Sequence, residues 1–294
     1  MGVPVKDKQK EKDIYRGAIM NETQHTYPVM TPELAARVED CGVAFWAEKA
    51  EVLQTLPGNP YGAHIHQFGD TTALLTTEAD NLDFNRVGNF GENDLKYLDA
   101  ISNWYRDHGQ RCRFEIIPTR SSLVLLQGMT KMGYSHTGFY TVLYGIPDLD
   151  LPYHPSLAVR DVSLQERDLF AEIYLESFAI PKLSKLSYLR ESVRLLVGKP
   201  SMRCLFAIDS GIPVAMAILY LHKGVGYLAT AATLPTARGR GCHQILLQTR
   251  IMIAAASGCN LIAAQAGVST KSQHNIEHSG LRIAYTKAFW TLQA

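Results

Sequence analysis

The chain has 294 residues, 46% hydrophobic and 19% charged, with 29 Lys and Arg against 28 Asp and Glu for a formal net charge of +1. That balance excludes a disordered, collagenous or membrane-spanning chain. It also gives no overall field to gather nucleic acid or an anionic membrane, so any anion site must be local. Five scattered cysteines without a CxxC pair argue against a disulfide framework or a zinc knuckle, and the chain reads as cytoplasmic.

Residues 1–24 carry a charge run from Lys6 to Asp13 without an apolar core and read as a flexible leader, not a secretory signal. Lys6 stands where N-myristoylation wants Ser or Thr. No stretch reaches the ~20 apolar residues of a bilayer span. The longest, Ile245 to Ala256, is broken by Gln248, Thr249 and Arg250. Within 25–145, a helical pattern from Asp94 (Leu95, Leu98, Ile101, Trp104, Tyr105) reaches Gly109. An extended run Arg113 to Ile117 follows, then a helical stretch Ser121 to Met132, Gly133-Tyr134, and a strand through Phe139 to Tyr144. Residues 146–155 hold Pro147, Pro152 and Pro155, each disfavouring helix in the residue before it, and read as a linker.

The segment 156–294 opens with the alternating run Leu157 to Val162. Ser163-x-x-Glu166 forms a capping box that starts a helix towards Phe178, and another helix runs from Ser187 to Val197. Three β-rich runs follow, Cys204 to Ile208, Val214 to His222 and Gly226 to Thr233, with Ser210-Gly211 and Lys223-Gly224 as hairpin turns. A helical pattern from Ile245 reaches Gly258. Then come Leu261 to Ala264, a short helix Ser272 to His278, Gly280-Leu281, and a run through Ala284 to Thr286. The order helix, Gly, strand, helix, Gly, strand therefore occurs twice, which predicts an α/β protein with a mixed sheet and an internal repeat.

Chemistry concentrates in Thr233-Leu234-Pro235-Thr236-Ala237-Arg238-Gly239-Arg240-Gly241-Cys242-His243, between a strand and the longest helix of its half. A strand-to-helix turn with two glycines and two arginines suits a phosphate. Backbone N–H groups and the helix dipole favour an anion there, and glycine lets it approach. The Walker A closure is absent, and no acidic residue ~20 residues on supports a dinucleotide fingerprint. A plain basic turn remains open as an alternative.

The Pro-x-x-Arg-Gly-Arg-Gly turn after a strand, followed by helix, strand, short helix and Gly-Leu, resembles the acetyl-CoA-binding core of the GNAT superfamily of N-acyltransferases. The resemblance covers 156–294. Residues 25–145 look like a degenerate second copy, so the expectation is two GNAT-like domains in tandem, each a central mixed sheet flanked by helices. The family loop, Arg/Gln-x-x-Gly-x-Gly/Ala, falls on Arg238, Gly239, Arg240, Gly241, Cys242 and His243. The resemblance implies that these residues, with Thr233 and Leu234 at the strand end, bind acetyl-CoA as co-substrate. His243 departs from the pattern, and its imidazole is expected to swing aside rather than bond a phosphate. A splay beside Leu261 to Ala264 would admit the pantetheine arm. In the first half, Asn85 to Glu92 offers one basic residue and an acidic helix start, which predicts no cofactor there. Packing, shaping of the acceptor cleft and homodimer formation are the roles open to that half.

The resemblance also implies acetyl transfer to a small-molecule amine, with neither nucleic acid nor membrane as partner. The family's tyrosine acid has no counterpart: its slot holds Ile276, a neighbouring Asn slot holds Ser269, and Tyr285 is the nearest phenol along the chain. The strand Tyr227 to Thr233 offers no carboxylate base, and His222 beside it is a weak candidate. Catalytic residues are therefore left unassigned. A non-catalytic acyl-CoA-binding or sensory protein and a transferase using charged tRNA stand as alternatives.

Overall fold

The computed structural model describes residues 27–78, 82–149, 157–180 and 187–292. The expected leader lies outside these, as does the linker beyond residue 149. In chain order the first half runs α1 (Pro32–Gln54), β1 (Ala63–Phe68), β2 (Thr71–Thr76), β3 (Arg86–Gly88), α2 (Leu98–Asp107), β4 (Arg113–Ile116), α3 (Leu123–Lys131) and β5 (Tyr134–Gly145). The second runs β6 (Ala158–Asp161), α4 (Arg167–Ser177), α5 (Ser187–Arg194), β7 (Met202–Asp209), β8 (Ile212–His222), β9 (Val225–Thr233), α6 (Cys242–Ala256), β10 (Leu261–Gly267), α7 (Lys271–His278) and β11 (Arg282–Leu292). Among the described residues no helix is long and apolar enough to cross a membrane, and no group of side chains could hold a metal ion.

Local sequence explains most of these elements. Glu166 and Ser163 bond each other's backbone in the expected capping box, one turn ahead of α4. Both hairpin turns place their residues at positive φ, Ser210 and Gly211 at 51° and 84°, Lys223 and Gly224 at 45° and 74°, as two-residue turns between twisted strands require. Sequence periodicity did not reveal α1. Its stripe is broken by buried Glu39 and Lys49 and by Gly42, although Thr31 caps it by accepting from the Leu34 amide at 3.2 Å and Pro32 starts it.

The strands form one sheet, ordered β1-β2-β3-β4-β11-β5-β10-β9-β8-β7-β6. The two halves therefore exchange their last strands. β5 lies antiparallel beside β10, from Ile262 opposite Gly145 to Gly267 opposite Tyr140. β11 lies antiparallel beside β4, and the two exchanged strands pair with each other along their length. Each half thus closes the open edge of the other, and the mixed sheets expected of two domains are a single sheet.

Both faces of the central strands are buried, so alternate residues feed different cores. On one face Phe206, Met216, Ile218, Tyr220 and Tyr227 pack against Val38 and Phe45 of α1, Phe170 of α4 and Val193 of α5. On the other, Leu205, Ala217, Leu219 and Leu228 meet Ile245, Leu246, Leu247 and Ile251 of α6. The first half's α1 thus packs on the second half's sheet. At the seam, Lys287 of β11 reaches Glu39 of α1 and, at 3.1 Å, Glu115 of β4, all three buried.

Candidate active site

β9 and β10 run parallel and pair only from Val225 opposite Leu261 to Tyr227 opposite Ala263. Beyond that they diverge, leaving one edge of β9 open from Leu228 to Thr233. A bulge promotes the divergence: Ala217 faces Ala231 and Leu219 faces Leu228, so Ala229 and Thr230 together oppose Ile218. Arg250 of α6 fastens the bulge. Its Nη1 donates to the carbonyls of Ile218 and Ala229 at 3.1 and 3.2 Å, and its Nε to Leu246 at 3.0 Å. The guanidinium is only 1% exposed, and burial lowers its pKa to about 9, so it stays charged at neutral pH while holding three carbonyls.

After β9 the chain makes a short turn, Pro235–Ala237, and the loop 238–243 delivers it into α6. Gly239 and Gly241 have φ of 80° and 83°. An added Cβ would meet nothing within 4 Å at either, so glycine is needed for the left-handed backbone more than for space. The first loop-to-helix bond is from Ile245 to Gly241 at 3.0 Å. Among the described residues the N–H groups of Gly239 to Gln244 donate to no protein acceptor. Consecutive free amides at the start of a long helix form a site for an anion.

The arginines of the loop point elsewhere. Arg238 Nη2 donates to the Ser177 carbonyl at 2.8 Å, capping the end of α4, and Arg240 pairs with Asp209 at 2.8 Å across the β7–β8 turn. Arg240 does not line the adjoining cavity, whereas Thr233, Arg238, Gly239, Gly241, Cys242 and His243 do. Leu234 packs against the core, and its amide bonds the Val214 carbonyl at 3.0 Å. The Cys242 thiol is buried, and burial raises its pKa. His243 Nδ1 lies 2.9 Å from the Asn275 amide nitrogen of α7. Burial and the nearby Arg250 pull His243 down to about 4, so the ring is neutral and takes that N–H as acceptor.

Two cavities meet at Ala231, His243 and Ser272. The first, about 390 Å³, lies over the loop and includes Lys271 and Asn275 of α7. The second, about 740 Å³, passes through the splay, where β9, Arg250, Gln265, Gly267 and Ile276 line it. It ends on the other face of the sheet among Trp46, Lys49, Asp83, Arg86, Tyr174, Phe178 and Ile180. The site is thus built by both halves.

Of the residues considered for proton transfer, Ile276 lines the cavity but has no proton to give. Tyr285 is buried away from it, its hydroxyl donating to Glu39 at 3.3 Å. His222 stacks on Tyr220 at the hairpin, 5.7 Å between centroids, outside both cavities. Ser269 is likewise outside both cavities, its amide held by Gln273 at 2.9 Å. Tyr140, on the exchanged strand opposite Gly267, does line the large cavity. Its neighbours in sequence carry no sign of this role, because it reaches the site only through the strand exchange.

Comparison with known proteins agrees with this geometry. Residues 167–278 match the family model described as the Acetyltransferase (GNAT) family. No curated protein matches the chain by sequence. Among solved structures, a GCN5-related N-acetyltransferase from Kribbella flavida superposes with a TM-score of 0.64 at 15% identity, covering 89% of this chain and 96% of that one. One from Sphaerobacter thermophilus gives 0.54 at 17% identity, covering 90% and 94%. A tandem GNAT protein from the clavulanic acid biosynthesis pathway gives 0.56 at 11% identity, covering 90% and 96%. The second half therefore carries a GNAT acetyltransferase domain, the fold of an acyltransferase. The chain as a whole shares the fold of these three structures, a tandem GNAT protein among them.

Proposed function

We propose that the protein is an N-acetyltransferase that moves the acetyl group of acetyl-CoA to the primary amine of a small molecule or amino acid, by direct attack in a ternary complex. The observation that carries this reading is the run of unspent amides from Gly239 to Gln244, opening on a cavity continuous with the splay between β9 and β10. The amides take the diphosphate, Lys271 adds positive charge beside it, and the open edge of β9 pairs with the pantetheine arm as an added strand would. That path places the thioester near the bulge at Ala229 and Thr230, where main-chain N–H groups polarise its carbonyl. The amine approaches from the Trp46 and Tyr174 side and enters neutral. Its nitrogen bonds the carbonyl carbon, the carbon–sulfur bond breaks, the thiolate takes a proton from Tyr140, and the proton shed by the acylated nitrogen passes through water to restore the Tyr140 hydroxyl.

The first half, in this reading, binds no second coenzyme. The pocket at its corresponding position is lined by Asp70, Glu92 and Asp94, and its one basic side chain, Arg120, is held by the Asn89 carbonyl and Asp40. Its role is to supply the exchanged strand and a wall of the acceptor chamber.

Titration calorimetry with acetyl-CoA tests the loop. Replacing Arg238 with Ala and Gly241 with Val together should abolish binding, and unchanged affinity would refute the assignment. Release of free thiol from acetyl-CoA across a panel of amines tests the chemistry. Tight binding without release for any amine would leave a non-catalytic acyl-CoA-binding protein.

A further inference from the structure

The far end of the large cavity contains a charge that the protein does not balance. Lys49 of α1 lines that cavity and is only 1% exposed. Among the described residues no hydrogen bond or ion pair reaches its ammonium. The nearby carboxylates are already spent. Glu115 holds Arg86 at 3.2 Å, Arg113 at 3.0 Å and Lys287 at 3.1 Å, while Asp83 holds Arg113 at 3.1 Å. Glu39 serves Lys287 and Tyr285. What Lys49 has is aromatic: its Nζ lies 4.6 Å from the Trp46 ring centroid, 5.0 Å from Phe84 and 5.9 Å from Phe45. Such contacts recover less than an ammonium loses on leaving water. Burial and the repulsion of Arg86 accordingly lower its pKa to about 7.

Resting on the acetyl-transfer reading of this site, we propose that Lys49 is an anion-binding residue of the acceptor chamber, and that the acceptor is an amine bearing a carboxylate, an amino acid or close relative. The ligand's carboxylate supplies the partner that the fold withholds from Lys49. Its amine then points back along the cavity towards the splay. One uncompensated cation matches one monovalent anion. Arg86 does not add a second charge, because Glu115 and Asp83 already neutralise it and its guanidinium carbon sits 3.7 Å from the Trp46 ring centroid. The aromatic walls exclude water, which strengthens the ion pair and selects for a compact ligand.

The test combines turnover with a direct probe of Lys49. Thiol release from acetyl-CoA is measured with the common L-amino acids, their carboxamides, decarboxylated amines and phosphorylated amines. In parallel, the Lys49 ammonium is followed by NMR in protein carrying ¹⁵N-labelled lysine while the same compounds are added. Turnover of the acids with at least tenfold lower KM than their carboxamides is expected. Lys49→Met, which replaces a buried charge by a side chain of similar length, should erase that preference and leave the KM for acetyl-CoA unchanged. The Lys49 signal should move with the acids and not with the carboxamides.

Carboxamides or phosphorylated amines turned over as well as the acids would overturn the proposal while leaving acetyl transfer intact. So would a Lys49→Met enzyme whose kcat falls with KM unchanged, the mark of a proton-transfer role. Absence of turnover with every amine would instead count against the transferase reading. A Lys49 signal that no carboxylate moves would then still overturn the proposal.

Discussion

Replacing Arg250 with methionine should separate stability from catalysis. Two carbonyls, Ile218 and Ala229, lose their donor, while Leu246 keeps the backbone N–H of residue 250 within α6. Each orphaned buried carbonyl costs about 1–3 kcal/mol, so the loss is about 2–6 kcal/mol. Against it stands the relief of a buried guanidinium whose proton affinity has fallen to about 9; this fall corresponds to roughly 5 kcal/mol. The two nearly cancel, and the melting temperature should move by only a few degrees. Catalysis should not be spared. Without its clamp the bulge relaxes towards regular pairing with β8, the edge of β9 turns, and the amides near Ala229 and Thr230 lose their aim. Loss of one such donor typically costs 10²–10³-fold in rate, and a fall of about that size is expected in kcat, with little change in the dissociation constant of acetyl-CoA. Lysine at 250 should not rescue, because its ammonium ends one atom short of Nη1, the nitrogen that bonds both carbonyls. The assays are thermal unfolding, calorimetric titration of acetyl-CoA and thiol release. A variant of unaltered melting temperature that retains kcat within threefold of wild type would refute the reasoning.

Tyr140→Phe removes the one hydroxyl that the exchanged strand places on the cavity wall; kcat should drop by about 10²-fold with the KM for acetyl-CoA preserved, and wild-type turnover would return the leaving thiolate's proton to another source. Lys287→Met leaves Glu39 buried with only the Tyr285 hydroxyl for company. It should cost about 3–5 kcal/mol in urea unfolding, and Glu39→Gln in the same chain should recover much of it; a loss below about 1 kcal/mol would show the seam to be insensitive to this charge. Lys49 also gives the stability a pH signature. Its pKa is lowered from 10.5 to about 7, so between those values the unfolded chain holds a proton that the folded chain has lost. Unfolding free energy should therefore rise with pH across that window, by up to ~1.4 kcal/mol per pH unit, with the full cost of the buried ammonium felt below pH 7. Lys49→Met should flatten the rise, and parallel curves for the two proteins would contradict it.

Elements whose signals are local were legible in the residues alone. The capping box at Ser163 and Glu166, the two hairpin turns, the alternation through β7 to β9 and the glycine loop ahead of α6 all depend on residues within a few positions of one another, and each formed where the pattern placed it. The geometry of the loop 238–243 was legible for the same reason, since positive φ and free amides are properties of a short stretch of backbone. Tertiary structure decided where the rest of the site comes from. Nothing in the run Phe139 to Tyr144 says that it pairs with β10 rather than with β4, because both edges are open parallel-sheet edges and only the assembled sheet chooses between them. That choice carries Tyr140 into the cavity and makes Tyr285 a core residue. α1 was obscured by Glu39 and Lys49, which look like solvated charges in a sequence and prove to be buried, one held by Lys287, the other facing the cavity. A charge declares its role only through what surrounds it, and those surroundings are assembled from strands and helices more than two hundred residues apart along the chain.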